Sequence, residues 1–219
     1  LNPFSCIPRI FLDSEVKEAL RLIGLGLMAH VMISFGFSGE WNAWRGPDGN
    51  GTTPEKLLNV SALNDTQSIR WTANVGMGHS AACVDRGKVF ITGNKHMGAE
   101  NYQDFVFCFN ARTGQEIWDY SYACPEGEDP GPAATPVVSG NRVYTLSREG
   151  HLFCLETTTS NVIWKRNLSG EGLADSGSYS FASSPVIYKD LLLLNVNQNG
   201  LALQKQSGEI VWNSPKGKS

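Results

Sequence analysis

The side chains best suited to chemistry in this sequence are four histidines, five cysteines and one acidic run. A metal site needs ligands that converge at short, regular spacing. His30, His79, His96 and His151 are scattered, with no two closer than 17 residues. Cys6, Cys83, Cys108, Cys124 and Cys154 contain no C-x-x-C pair, so their spacing supports neither zinc nor dithiol redox chemistry. An odd number cannot all pair within the chain, and a bridge from Cys83 or Cys108 to Cys124 stays open. The run Glu126-Gly127-Glu128-Asp129 could attract a cation, but adjacent carboxylates in a loop lack the spacing of a calcium loop. No Gly-x-Ser-x-Gly elbow is present, so a serine hydrolase has no basis. Gly46-x-x-Gly49-x-Gly51 and Gly76-x-Gly78-x-x-Ala81 are spelled like phosphate loops, yet neither opens an amphipathic helix. No catalytic, cofactor-binding or metal-ligating residue is assigned.

The elements that would have to position such residues read as strands. Charged residues make up 18%, there are 23 glycines, and aromatics reach 10%, a mix that suits a turn-rich β protein and argues against disorder. A net charge of −3 offers no basic face for nucleic acid. Phe107 to Trp118 is an apolar strand, a Thr113-Gly114 turn and a second strand ending in tryptophan. The pattern recurs from Phe153 to Trp164 and from Leu201 to Trp212, and Ser68 to Trp71 reads as the tail of another copy. The tryptophans at 71, 118, 164 and 212 are 47, 46 and 48 residues apart. A period in the forties marks a repeat architecture. Four short strands fit each period, with turns at Asp85-Arg86-Gly87, Ser139-Gly140-Asn141 and Arg148-Glu149-Gly150 and a hairpin signal at Asn199-Gly200. Gly93 to Asp104 reads as an insertion that breaks the repeat, as do Ala123 to Pro132 and Leu168 to Ser180.

The fold class expected is therefore all-β: a β-propeller of four-stranded antiparallel blades, about three of them, in an incomplete ring. One blade cannot bury both of its faces, so neighbours must stack. Residues 1–38 form a leader in which the apolar run Leu22 to Ser38 reads as an export signal, with a membrane anchor as the competing reading. Residues 39–70 read as an N-terminal connector and 71–219 as a partial propeller.

Asn110-Ala111-Arg112-Thr113-Gly114-Gln115-Glu116-Ile117-Trp118 resembles the tryptophan-docking motif of the PQQ-like repeat, with Asn110 in the usual aspartate place. The second copy has Glu156, Thr159-Ser160 and Trp164, and the third has Gln204, Ser207-Gly208 and Trp212. Trp44-Arg45-Gly46-Pro47 and the phrases Ala134-Thr135-Pro136 and Ser184-Pro185 look like secreted bacterial members of this class. The resemblance covers about residues 41–219, as a piece of a longer ring. It implies docking roles for Trp71, Trp118, Trp164, Trp212, Gly114 and Gly208. The family's enzymes hold PQQ and calcium with an adjacent cysteine pair, which is missing here, so those cofactors are possible by resemblance alone and none is assigned. The reading is an exported binding or scaffold module, periplasmic or extracellular and associated with the outer membrane. Its partners would be proteins or cell-envelope components, with no nucleic acid and no stable span in the mature chain. The alternative is the N-terminal part of a PQQ-dependent quinoprotein dehydrogenase.

Overall fold

The computed structural model describes residues 40–53, 68–99, 101–125, 131–174, 180–196 and 199–214. The leader and its apolar run, and the acidic stretch from Glu126 to Pro130, lie outside the described residues. Three four-stranded sheets follow one another. The first holds β1 (Cys83–Asp85), β2 (Lys88–His96), β3 (Tyr102–Asn110) and β4 (Glu116–Ala123). The second holds β5 (Val137–Ser139), β6 (Arg142–Leu146), β7 (His151–Glu156) and β8 (Val162–Asn167). The third holds β9 (Val186–Tyr188), β10 (Leu191–Val196), β11 (Asn199–Gln204) and β12 (Ile210–Asn213). Each sheet is antiparallel with its strands in sequence order, as successive hairpins dictate. These are three propeller blades, without a closed ring and without an α-helix among the described residues.

The alternation of side chains across each strand puts both faces of a blade to use. Val106 and Cys108 of β3 point toward the second blade, where they meet Val143, Phe153 and Leu155 together with Phe90 and Trp118. Phe105, Phe107 and Phe109 point the other way and pack with Trp71 and Val75. Tyr144, Leu146 and Leu152 of the second blade meet Leu192, Leu201 and Leu203 of the third. A fully buried side chain of this size contributes roughly 1.5–3 kcal/mol. Central strands sandwiched in this way are apolar on both sides over their middle, which is why 105–109 of β3 and 152–155 of β7 read as unbroken apolar runs.

Two local readings are corrected. The expected insertion from Gly93 to Asp104 is largely strand: β2 runs on to His96 and β3 starts at Tyr102, in register from Gly93 opposite Phe105 to His96 opposite Tyr102. Its glycine and charged residues hid the alternation. Asn199-Gly200 is not the hairpin turn but the start of β11, paired with Val196 and Asn195. Gly200 is small for another reason: a Cβ there would lie 2.8 Å from the ring of Trp212.

The stretch read as a connector is tied to two blades. Trp41 and Val84 exchange both main-chain hydrogen bonds at 2.8 Å, and Val138 N donates to Asn42 O at 2.8 Å. No helix among the described residues is long and apolar enough to cross a membrane.

Candidate functional site

The repeated residues converge on the seams between blades. Trp71 Nε1 donates to Ala111 O at 3.0 Å, Trp118 Nε1 to Thr157 O at 3.1 Å and Trp164 Nε1 to Lys205 O at 3.1 Å. Each acceptor lies in the tight turn of the following blade. Trp212 is 53% exposed, and its indole has no hydrogen-bond partner among the described residues.

The turn is built from its own side chains. Asn110 Oδ1 accepts from Arg112 N and Thr113 N, each at 3.0 Å, the work an aspartate would do. Gly114 closes it at φ 72°, and a Cβ there would stand 2.5 Å from Trp71 Cγ. Gly208, at φ 74°, stands in the same relation to Trp164, with a separation of 2.7 Å. The middle copy uses Ser160, which keeps the left-handed backbone at φ 63°.

What aims the indoles is a β-bulge that the sequence did not disclose. In the first blade Cys108 faces Trp118 while Phe109 faces Glu116, leaving Ile117 unpaired. The same slip leaves Ile163 out between Trp164 and Val162, and Val211 out between Trp212 and Ile210. An extra residue in the outer strand turns the following side chain toward the neighbouring blade. The residue across from each indole is small: Cys108, Cys154 and Ala202. The four described cysteines are buried and free. Burial pushes the Cys108 thiol up to about 12 and Cys154 up to about 11, so both are inert thiols at neutral pH.

A second set of inter-blade bonds runs along the inner strands. Ala81 N donates to Thr135 Oγ1 at 3.1 Å, and Thr135 N donates to Ser184 Oγ at 2.9 Å. The visible signal was a hydroxyl residue before proline, in Thr135-Pro136 and Ser184-Pro185. A further centre was missed. Asp104 is fully buried and accepts from Asn94 Nδ2 at 2.8 Å and from the Tyr122 hydroxyl at 3.3 Å. Burial raises its carboxyl above the ordinary range, against the pull of Asn94, Cys124, Tyr122 and Arg148.

Among the described residues the histidines do not meet, and His30 lies outside them. His79 lines a cleft of about 1070 Å³ along the inner strands, between Trp44 and Val186. His96 packs against Tyr102 with tilted rings, their centroids 4.6 Å apart, and His151 Nδ1 lies 3.3 Å from Ser147 Oγ. Among the described residues no three His, Cys, Asp or Glu side chains gather as a metal site would require.

Residues 102–219 match a family model described as outer membrane protein assembly factor BamB. The chain is 24% identical to the quinoprotein alcohol dehydrogenase PedH of Pseudomonas putida, over 78% of this chain and 29% of that protein. It is 26% identical to the outer membrane protein assembly factor BamB of Kangiella koreensis, over 64% of this chain and 33% of that protein. Among solved structures it resembles a europium-containing methanol dehydrogenase, with a TM-score of 0.64 and 12% identity over 81% of this chain and 32% of the other. It also resembles the quinohemoprotein alcohol dehydrogenase of Comamonas testosteroni, with a TM-score of 0.61 and 17% identity over 80% of this chain and 27% of the other. The chain spans about a third of the length of the relatives it matches. The structural likenesses establish the propeller fold.

Proposed function

This chain belongs to the PQQ-repeat propeller family whose model is described as outer membrane protein assembly factor BamB, and from that membership we propose an exported, non-catalytic β-propeller module that binds protein or other cell-envelope partners. The observation that carries the reading is the use to which the repeat is put. Trp71, Trp118 and Trp164 each reach a carbonyl of the next blade, and Gly114 and Gly208 make room for an indole. In this reading those residues, with Trp212, are docking residues that stack blades into a rigid platform, and recognition belongs to the strand edges and loops around it. A periplasmic or outer-membrane location is part of the same proposal, supported by the name of the Kangiella relative and by the apolar run of the leader.

The residues of the inner-strand cleft do not fit PQQ with calcium. Glu40, Asp48, His79 and Asp85 line it without gathering into a ligand set, and none of the free cysteines lines it. A second reading, the N-terminal part of a quinoprotein dehydrogenase, is favoured by one observation: the match to PedH extends over 78% of this chain, against 64% for the Kangiella protein.

The two readings part on PQQ. Calorimetry with PQQ and calcium, and a dye-linked alcohol oxidation assay, should be run on the 219-residue chain and on any longer gene product containing it. The scaffold reading expects no saturable heat and no alcohol-dependent dye reduction in either. Binding with a Kd of about 1 μM or tighter, or turnover, overturns it.

A further inference from the structure

The two complete seams can be compared within the molecule, and they differ. At the seam between the second and third blades, the turn around Lys205 receives four donors: Arg142 Nη1 to Gln206 O at 2.6 Å, Tyr144 OH to Lys205 O at 3.0 Å, Trp164 Nε1 to Lys205 O at 3.1 Å and Arg166 Nη1 to Gly208 O at 2.9 Å. At the seam between the first and second blades, the corresponding turn receives Trp118 Nε1 and none of the other three. Tyr120 stands where the later seam has Arg166, two residues beyond the indole. The upper part of this seam is an aromatic wedge: Tyr120 meets Phe153 edge-on at 5.2 Å, and Tyr122 lies against Phe153 at 4.6 Å. A cleft of about 440 Å³ remains beside it, within the range of small-ligand sites, and both walls belong to this chain.

The register builds the second wall. Phe153 of β7 is paired with Lys165 of β8, and His151 with Asn167, so an aromatic floor and two polar side chains share one face. The polar groups divide into spent and unspent. Arg166 is engaged with Glu171 and with Gly208 O, and Glu171 also accepts from Asn167 N at 3.0 Å. Tyr122 OH is engaged with Asp104. The Tyr120 hydroxyl, the Lys165 ammonium and the Asn167 amide nitrogen have no partner among the described residues. The unspent groups are donors, one carries a positive charge, and they border an aromatic surface.

We propose that this cleft binds a small ring-bearing carboxylate, its ring set against the aromatic wedge of Tyr120 and Phe153 and its carboxylate held by Lys165 with Asn167. Aromatic faces take either an aromatic ring or the apolar face of a pyranose, and an ammonium beside amide and hydroxyl donors selects a carboxylate over a neutral group. The ring can thus come from an aromatic acid or from a sugar acid. This inference does not depend on the scaffold reading.

Ligand-observed NMR on the 219-residue chain tests it, with phenylacetate and glucuronate as the acids and benzyl alcohol and glucose as their neutral counterparts. The expected result is saturable binding of at least one acid, at least about fivefold tighter than its neutral counterpart. Binding of phenylacetate alone assigns an aromatic acid, and binding of glucuronate alone assigns a sugar acid. Lys165→Gln, at an exposed position, is expected to weaken the acid about fivefold or more. Tyr120→Phe, which keeps the ring, is expected to weaken it less. No binding of either acid at about 10 mM overturns the proposal, and so does acid binding that Lys165→Gln leaves unchanged.

Discussion

Trp118 donates its indole N–H to the carbonyl oxygen of Thr157, in the turn of the next blade, at 3.1 Å. Its ring is 9% exposed and packs against Phe90 at 5.8 Å. Trp212, the last copy, is 53% exposed. Identical residues at the same repeat position should therefore differ in energetic weight. Trp118→Ala should cost about 3–5 kcal/mol, through lost burial, a cavity and an orphaned carbonyl. Trp212→Ala in the 219-residue chain should cost less, about 1–2 kcal/mol, because about half of its surface is already in solvent and no carbonyl is orphaned. Urea denaturation of the two variants checks the contrast, and equal losses would remove the role assigned to the seam.

Ser160 occupies a glycine's place. Its φ of 63° matches the left-handed turns of Gly114 and Gly208. A non-glycine residue there carries roughly 1–2 kcal/mol of steric cost, partly offset in a glycine variant by the extra freedom of the unfolded chain. Ser160→Gly should raise stability by about 0.5–1 kcal/mol, read as a higher Tm. Gly114→Ala should cost more than about 2 kcal/mol, since its Cβ would stand 2.5 Å from Trp71 Cγ.

The blades were legible because tryptophan, turn residues and apolar runs recur at a fixed period. A repeat multiplies weak local signals. The bulges at Ile117, Ile163 and Val211 were not legible, because a bulge is a relation between two strands, whereas an Ile-Trp or Val-Trp pair reads as ordinary strand. Asp104 was missed for a similar reason. Its burial depends on Asn94 and Tyr122 arriving from the neighbouring strands, and on β2 continuing through residues whose glycine and charges suggest a loop. Thr135 and Ser184 were seen as part of a phrase, but their partners belong to other blades.

Asp104 gives the fold a pH dependence whose sign follows from its burial. Desolvation raises its carboxyl above the ordinary 3.8 and outweighs the hydrogen bonds and the Arg148 charge that lower it. With the folded pKa above the unfolded one, the contribution of the protonated carboxyl is fully present below the unfolded value. It is lost as pH rises through the folded value. The stability of the wild type relative to Asp104→Asn should thus be greatest at low pH and fall as pH rises. Denaturant titrations of both proteins between about pH 3 and 7 measure the difference. A wild-type advantage that grows with pH would mean that the hydrogen bonds and Arg148 outweigh desolvation.

Two threonines should respond oppositely to the same substitution. Thr135 is buried, and its hydroxyl accepts from Ala81 N at 3.1 Å, joining the first blade to the second. Thr145 is equally buried, yet its hydroxyl has no partner among the described residues. Valine matches threonine in shape and removes the hydroxyl. At position 135 this strands a part-buried backbone N–H, and Thr135→Val should cost about 1–2 kcal/mol. At position 145 it removes a polar atom buried without compensation, and Thr145→Val should be neutral or stabilising by up to about 1 kcal/mol. The same denaturation experiment reads both. A loss at 145 comparable to that at 135 would show that the Thr145 hydroxyl is satisfied in solution, and only a loss at 135 identifies the inner hydroxyl ladder as a second inter-blade latch beside the indoles.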